Sequence, residues 1–188
     1  MKLNFFLKEV VLGMMSTGRG YVQVYYGDGK GKTTAAIGLA VRATGQGLKV
    51  LFLQFFKKNI TGELISLQYL PGITVYQFGS GKFIFNRHWQ EEDHREFLMG
   101  WEMAKKTLKG ENYDLLIMDE FLYAFTYQML SWDDFFPELD TRNPKLEVVL
   151  TGRKAIPQLI EYADLITNMT LIKHPYQQGI PARKGIEY

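Results

Sequence analysis

The run GDGKGKTT, residues 27–34, packs three glycines, two lysines and two threonines into eight positions. Those residue types at that spacing suit one task, folding backbone amides round phosphate groups. The usual phosphate loop reads G-x-x-x-x-G-K-[ST]. Here, counting back five from Gly31 reaches Tyr26, and the nearest glycine is Gly27, so the loop is one position short. Gly27, Gly29 and Gly31 let the chain close tightly with its amides turned inward. Lys32 supplies a point charge for phosphate oxygens, and Lys30 adds a second cation. Thr33 falls where a following helix would begin, a place that favours anions and can offer a hydroxyl to Mg²⁺. The whole stretch, Asp28 and Thr34 included, is expected to contact the phosphates.

Two further sequences carry charge at comparable places. YDLLIM runs into Asp119-Glu120, and an apolar strand ending in acid is the expected partner of the loop hydroxyl in holding Mg²⁺. Successive strand residues face opposite ways, so the two acids are expected to differ in role. At least one is expected at the metal, and a cap at the strand's exit also fits Asp119. VVLTGR ends in Arg153, which could stabilise charge on a leaving group or form a surface salt bridge. Arg42, nine residues past Thr33, could reach the nucleotide or stand in solvent.

The elements that must position these groups follow from the apolar pattern. Tyr21 to Tyr26, Val50 to Phe56, Ile73 to Phe78, Tyr113 to Met118 and Leu146 to Leu150 read as strands, with Ala163 to Thr167 as another. Thr33 to Thr44 reads as a helix stopped by Gly45 and Gly47, and Gly62 to Leu70 as a second. Gln90 to Leu108 makes a long helix with Phe97, Trp101, Ala104 and Leu108 on one face. Alternating strands and helices imply an α/β fold, a mostly parallel sheet covered on both faces. Ligands bind such sheets at the carboxyl ends of the strands, where GDGKGKTT, DE and TGR all fall.

At 188 residues the chain fits one domain with a real core. It is 46% apolar and 22% charged, with a net charge of +2, which gives no sign of a nucleic-acid partner. The absence of cysteine excludes disulfides and thiol chemistry. Lys8 and Glu9 interrupt the apolar N-terminal run, so neither a signal peptide nor a membrane span fits, and a cytoplasmic location is expected. Phe6, Val10 and Met14 give residues 1–19 one apolar stripe, suited to a helix docked on its own domain or to a lid. Residues 20–188 form the expected phosphate-loop domain.

Taken together, YYGDGKGKTTAAIGLAVRATGQG, VLFLQFFK, LLIMDE, VVLTGRKA and ADLITNMTLIKHPYQQGIPARKGIEY resemble the P-loop type of ATP:corrinoid adenosyltransferase. The likeness runs from about Gly20 to Tyr188, and in that family the phosphate loop has this shortened form. The resemblance implies a RecA-like P-loop NTPase fold and transfer of the 5′-deoxyadenosyl group of ATP to Co(I) of cob(I)alamin or a precursor corrinoid, with tripolyphosphate leaving. It implies that ATP lies reversed, its γ-phosphate deep in the loop, with Lys32, Thr33 and Glu120 serving the departing anion and Mg²⁺ (or Mn²⁺) held by Thr33, Glu120 and Asp119. It implies an aromatic pair beneath the corrin ring, here Phe83 and Phe85, where relatives often carry Trp at the second position. An ordinary core role for both phenylalanines is the other reading. A flavoprotein electron donor and a homodimer are further implications, with the N-terminal helix folding over the corrinoid. His174 is not expected to ligate cobalt, since a lower ligand would oppose four-coordinate activation.

Three other functions compete. A conventional RecA-like ATPase or a small-molecule kinase would share the loop, and a nucleotide-dependent corrinoid carrier would bind both ligands without turnover. The ATPase would release ADP and phosphate.

Overall fold

The computed structural model describes residues 18–81 and 89–187. Phe83, Phe85 and the stripe of Phe6, Val10 and Met14 lie outside them. In chain order the elements are β1 (Val22–Tyr26), α1 (Lys32–Gly45), β2 (Val50–Phe55), α2 (Gly62–Leu67), β3 (Ile73–Phe78), α3 (Glu91–Lys109) and β4 (Leu115–Asp119). Then follow α4 (Tyr123–Thr126), α5 (Trp132–Asp140), β5 (Glu147–Gly152), α6 (Pro157–Tyr162), β6 (Leu165–Asn168) and a 3₁₀ turn at Pro175–Gln178.

The six strands form one sheet in the order β3-β2-β4-β5-β1-β6, and every pairing is parallel. This is the expected α/β sheet covered on both faces, and among the described strands it is parallel throughout. Successive strand residues feed two different cores. Leu51, Leu53 and Phe55 of β2 join Leu116 and Met118 of β4 and Val148 and Leu150 of β5 on one face, against Phe97, Trp101, Ala104 and Leu108 of α3. Val50, Phe52, Leu115, Ile117 and Val149 line the other face, against Ala36, Ala40 and Ala43 of α1. Side chains that small bring α1 close to the sheet, which sets the loop before it directly over the strand ends.

The first core is rich in aromatic rings. Phe121 touches Phe55, Phe97, Trp101 and Phe135, with centroids 5.2–6.0 Å away. α3 fits against it through Gly100, where a Cβ would stand 2.6 Å from a ring carbon of Phe55 and 2.7 Å from one of Phe78. Helix α3 starts on a capping box in which Gln90 and Asp93 satisfy each other's end of the first turn.

Candidate active site

The carboxyl ends of β1, β5 and β6 come together through Tyr26, which pairs with Gly152 on one side and Asn168 on the other. The glycine loop leaves from there and is pressed on Met169. A Cβ on Gly27 would lie 2.5 Å from the Met169 carbonyl oxygen, and one on Gly29 would lie 2.6 Å from it. Gly29 N donates to that same oxygen at 2.7 Å. Gly27 and Gly31 have φ of 116° and 121°, which glycine alone adopts without strain. Gly31 is the cap of α1, so Lys32 and Thr33 open the helix. Lys32 Nζ donates to Gly27 O and Gly29 O, both at 2.8 Å, so its ammonium spans the mouth of the loop. Burial pushes the Lys32 pKa down, against the pull of Glu120.

Asp119 ends β4 fully buried and is saturated with donors. Its Oδ1 accepts from Thr33 Oγ1 at 2.8 Å and Thr151 Oγ1 at 2.7 Å. Its Oδ2 accepts from Gln54 Nε2 at 3.0 Å and Lys57 Nζ at 3.3 Å. Gln54 is fixed in turn by Gln77, whose amide donates to Gln54 Oε1 at 2.7 Å. Glu120 differs. Its backbone is left-handed, φ 61°, and its N–H donates to Thr151 Oγ1 at 2.8 Å. Its Oε2 is buried with no hydrogen-bond partner, and Lys57 stands 3.9 Å from Oε1. Burial pushes the Glu120 pKa up, aided by the Asp119 carboxylate and opposed by Lys57, Lys32 and Arg153. Burial alone would lower the Lys57 pKa, yet Asp119 and Glu120 outweigh it and hold it raised.

Lys30, Lys32, Thr33, Thr34, Lys57 and Glu120 share one cavity of about 640 Å³, which Gly185, Ile186 and Glu187 help to close. A cation suits it. The Thr33 hydroxyl and Glu120 carboxylate stand beside the loop, and the unpartnered Glu120 Oε2 is the kind of buried atom that calls for a partner. Among the described residues no three His, Cys, Asp or Glu side chains gather to hold a metal by themselves. Magnesium bound through one or two protein groups plus phosphate oxygens would meet that condition.

The profile of the ATP:corrinoid adenosyltransferase family BtuR/CobO/CobP matches residues 18–188. The chain belongs to that family. The corrinoid adenosyltransferases of Pseudomonas aeruginosa and a Sinorhizobium species are both 34% identical to it, over 90% and 96% of this chain and 84% and 86% of theirs. That of Escherichia coli K12 is 32% identical over 90% of this chain and 86% of its own. The crystal structure of domain III of the Thermotoga maritima replication initiation protein DnaA overlays with a TM-score of 0.37 at 13% identity, covering 87% of this chain and 61% of that one. As an ATP:corrinoid adenosyltransferase, the enzyme transfers the adenosyl group of ATP to a corrinoid.

Within this adenosyltransferase the structure gathers most of the sequence-predicted residues. Gly27 to Thr34, Asp119 and Glu120 meet at one end of the sheet. Arg153 lies on the other flank of the loop, its Nε donating to Asp28 Oδ1 at 2.5 Å beside a cavity of about 560 Å³. Arg42 is not brought to the cluster. It is exposed in the last turn of α1, about two and a half turns beyond Thr33. Phe83 and Phe85 lie outside the described residues. Sequence reasoning missed Gln54, Lys57 and Thr151. A signal existed for the first, because a glutamine inside the apolar strand VLFLQF must find a buried partner.

Proposed function

We propose that the loop Gly27–Thr34 holds ATP by its triphosphate tail, leaving C5′ of the ribose open to the corrinoid, so that transfer is a direct displacement at carbon. The Co(I) electron pair of the substrate forms the bond to C5′, the C5′–O5′ bond breaks, and its electron pair departs with tripolyphosphate. No water has to be activated, so the protein's work is positioning and the holding of a leaving anion. Lys32 would exchange the carbonyls of Gly27 and Gly29 for phosphate oxygens, and Lys30 faces the same cavity. Arg153, paired with Asp28, is a further cation for the departing charge.

Mg²⁺, or Mn²⁺ in its place, held by Thr33 and Glu120 with Asp119 behind the threonine, would supply positive charge toward the phosphates. Asp119 supports that division of labour, since both its oxygens are already engaged by protein donors. Phe83 and Phe85 are assigned to the wall beneath the corrin ring, and residues 1–19 to a lid over it. A cytoplasmic homodimer supplied with electrons by a flavoprotein completes the reading. Among the described residues no helix is long and apolar enough to cross a membrane.

The observation that carries this reading is the juxtaposition of a glycine cradle, the Thr33–Asp119 hydrogen bond and the unpartnered Glu120 oxygen in one cavity. Anaerobic incubation of the protein with ATP, Mg²⁺ and cob(I)alamin tests it. The expected outcome is loss of the Co(I) absorption, a light-sensitive alkylcobalamin and stoichiometric tripolyphosphate. ADP and phosphate as products would overturn it. Lys32→Ala is expected to lower turnover by about 10²-fold or more, the scale of losing one donor to a developing anion.

A further inference from the structure

Resting on the reading above that Thr33 and Glu120 receive a divalent cation, we propose that Lys57 is a positioning residue, a built-in counter-ion that ties metal uptake to nucleotide uptake. Its ammonium holds the positive place between the two acids, 3.3 Å from Asp119 Oδ2 and 3.9 Å from Glu120 Oε1. The Asp119 side chain is fully buried, that of Glu120 is 20% exposed and that of Lys57 is 34% exposed.

The backbone fixes this contact from both sides. Phe56, next to Lys57, is left-handed at φ 57°, as Glu120 is at 61°, and the two residues immediately follow the neighbouring strands β2 and β4. Phe56 is locked by stacking on Phe97 at 6.0 Å and by edge contacts with Tyr123 and Tyr127. On the far side Gly79 presses on the Lys57 backbone, where a Cβ would lie 2.7 Å from Lys57 N. A left-handed non-glycine residue held by its surroundings is the mark of an imposed geometry. Here one such residue carries the Glu120 carboxylate and the other precedes Lys57, the cation that faces it.

Charge counting gives the consequence. Asp119 and Glu120 carry two formal negative charges, and Lys57 returns one. A divalent cation added to all three leaves net positive charge in a half-buried site, which is disfavoured. Added to the acids alone, it leaves none. The triphosphate of ATP brings the missing negative charge and the missing oxygen ligands, so the metal is welcome only in its company. Lys57 lines the same cavity as Lys32, Thr33 and Glu120, so it can turn from the acids toward phosphate once the cation arrives.

Titration of Mn²⁺ into the nucleotide-free protein, with free Mn²⁺ read from its electron paramagnetic resonance spectrum, tests the inference. Wild-type protein and Lys57→Arg are expected to bind Mn²⁺ only weakly. Lys57→Met and Lys57→Gln are expected to bind one ion about tenfold more tightly or better. No gain in either uncharged variant overturns the counter-ion role, as does a gain in Lys57→Arg equal to theirs. A second arm, water-proton relaxation of Mn²⁺ with protein and ATP, checks the reading underneath. Enhancement is expected in wild type and should fall in Glu120→Gln. Enhancement unchanged by Glu120→Gln overturns the metal assignment itself, and the counter-ion role with it.

Discussion

Asp119 and Glu120 are neighbours with opposite circumstances: one has four donors on two oxygens, and the other has an oxygen with none. A carboxylate oxygen kept buried with no hydrogen-bond partner lowers stability. Glu120→Gln is therefore expected to raise the stability of the ligand-free protein by roughly 0.5–2 kcal/mol near neutral pH while impairing transfer. The sign follows from its raised pKa. A carboxyl that holds its proton more tightly when folded favours folding at low pH, and that contribution is lost as pH rises through the folded pKa. The thermal advantage of Glu120→Gln should thus be full in mildly alkaline buffer and close as pH falls toward about 4, the ordinary carboxylate value. The loop, the acid pair and Arg153 were legible in sequence because each belongs to a short run at a strand end. The contacts of Lys57 and Thr151 with the acids were not, because nothing in a one-dimensional run shows that β2, β4 and β5 lie side by side.

Among the elements, α3 packs tightly at Gly100. Gly100→Ala would place its methyl within 2.6–2.8 Å of ring carbons of Phe55 and Phe78, which are core groups unable to swing away. Overpacking costs about 1–3 kcal/mol, against up to about 1 kcal/mol gained in helix propensity. A net loss in Tm of a few degrees is expected in thermal unfolding, with transfer activity retained below the transition. All six strands were readable as apolar runs to within a residue or two at their ends. β5 is the informative miss: it extends through Thr151 and Gly152, so the TGR sequence belongs partly to the strand. Residues 121–140 were assigned no element from the sequence, although Trp132, Phe135, Phe136 and Leu139 recur at helical spacing. α4 is a four-residue helix, and α5 carries Pro137 inside it, so neither presents the long stripe that marks α3. Their aromatic side chains are read correctly only once Phe121 and Phe135 are seen to complete the core under α3.

At the scale of the whole molecule, the C-terminal segment returns to the start of the domain. Lys30 Nζ reaches Ile186 O at 3.1 Å and Glu187 Oε1 at 3.0 Å, and Arg183 binds the same carboxylate. Those bonds, first from the Arg183 side chain and backbone and then from Lys30, pull the Glu187 pKa down to about 2. A depressed carboxyl stabilises the docked form above its ordinary value of 4.5 and ceases to do so as pH falls toward about 2. Protection of the amides at residues 183–187, taken relative to their intrinsic exchange rates at each pH, should therefore fall in that acid window, and Glu187→Gln should show the lower protection already at neutral pH. The ion pair of Lys30 with Glu187 lines the cavity in which the proposed reading places the triphosphate. Added salt weakens exposed pairs of this kind, with a screening length of about 10 Å at 0.1 M, and it also weakens the grip on the incoming polyanion. Ionic strength should then act on the enzyme in two directions at once, speeding discharge of tripolyphosphate while raising the ATP concentration needed for half-maximal rate.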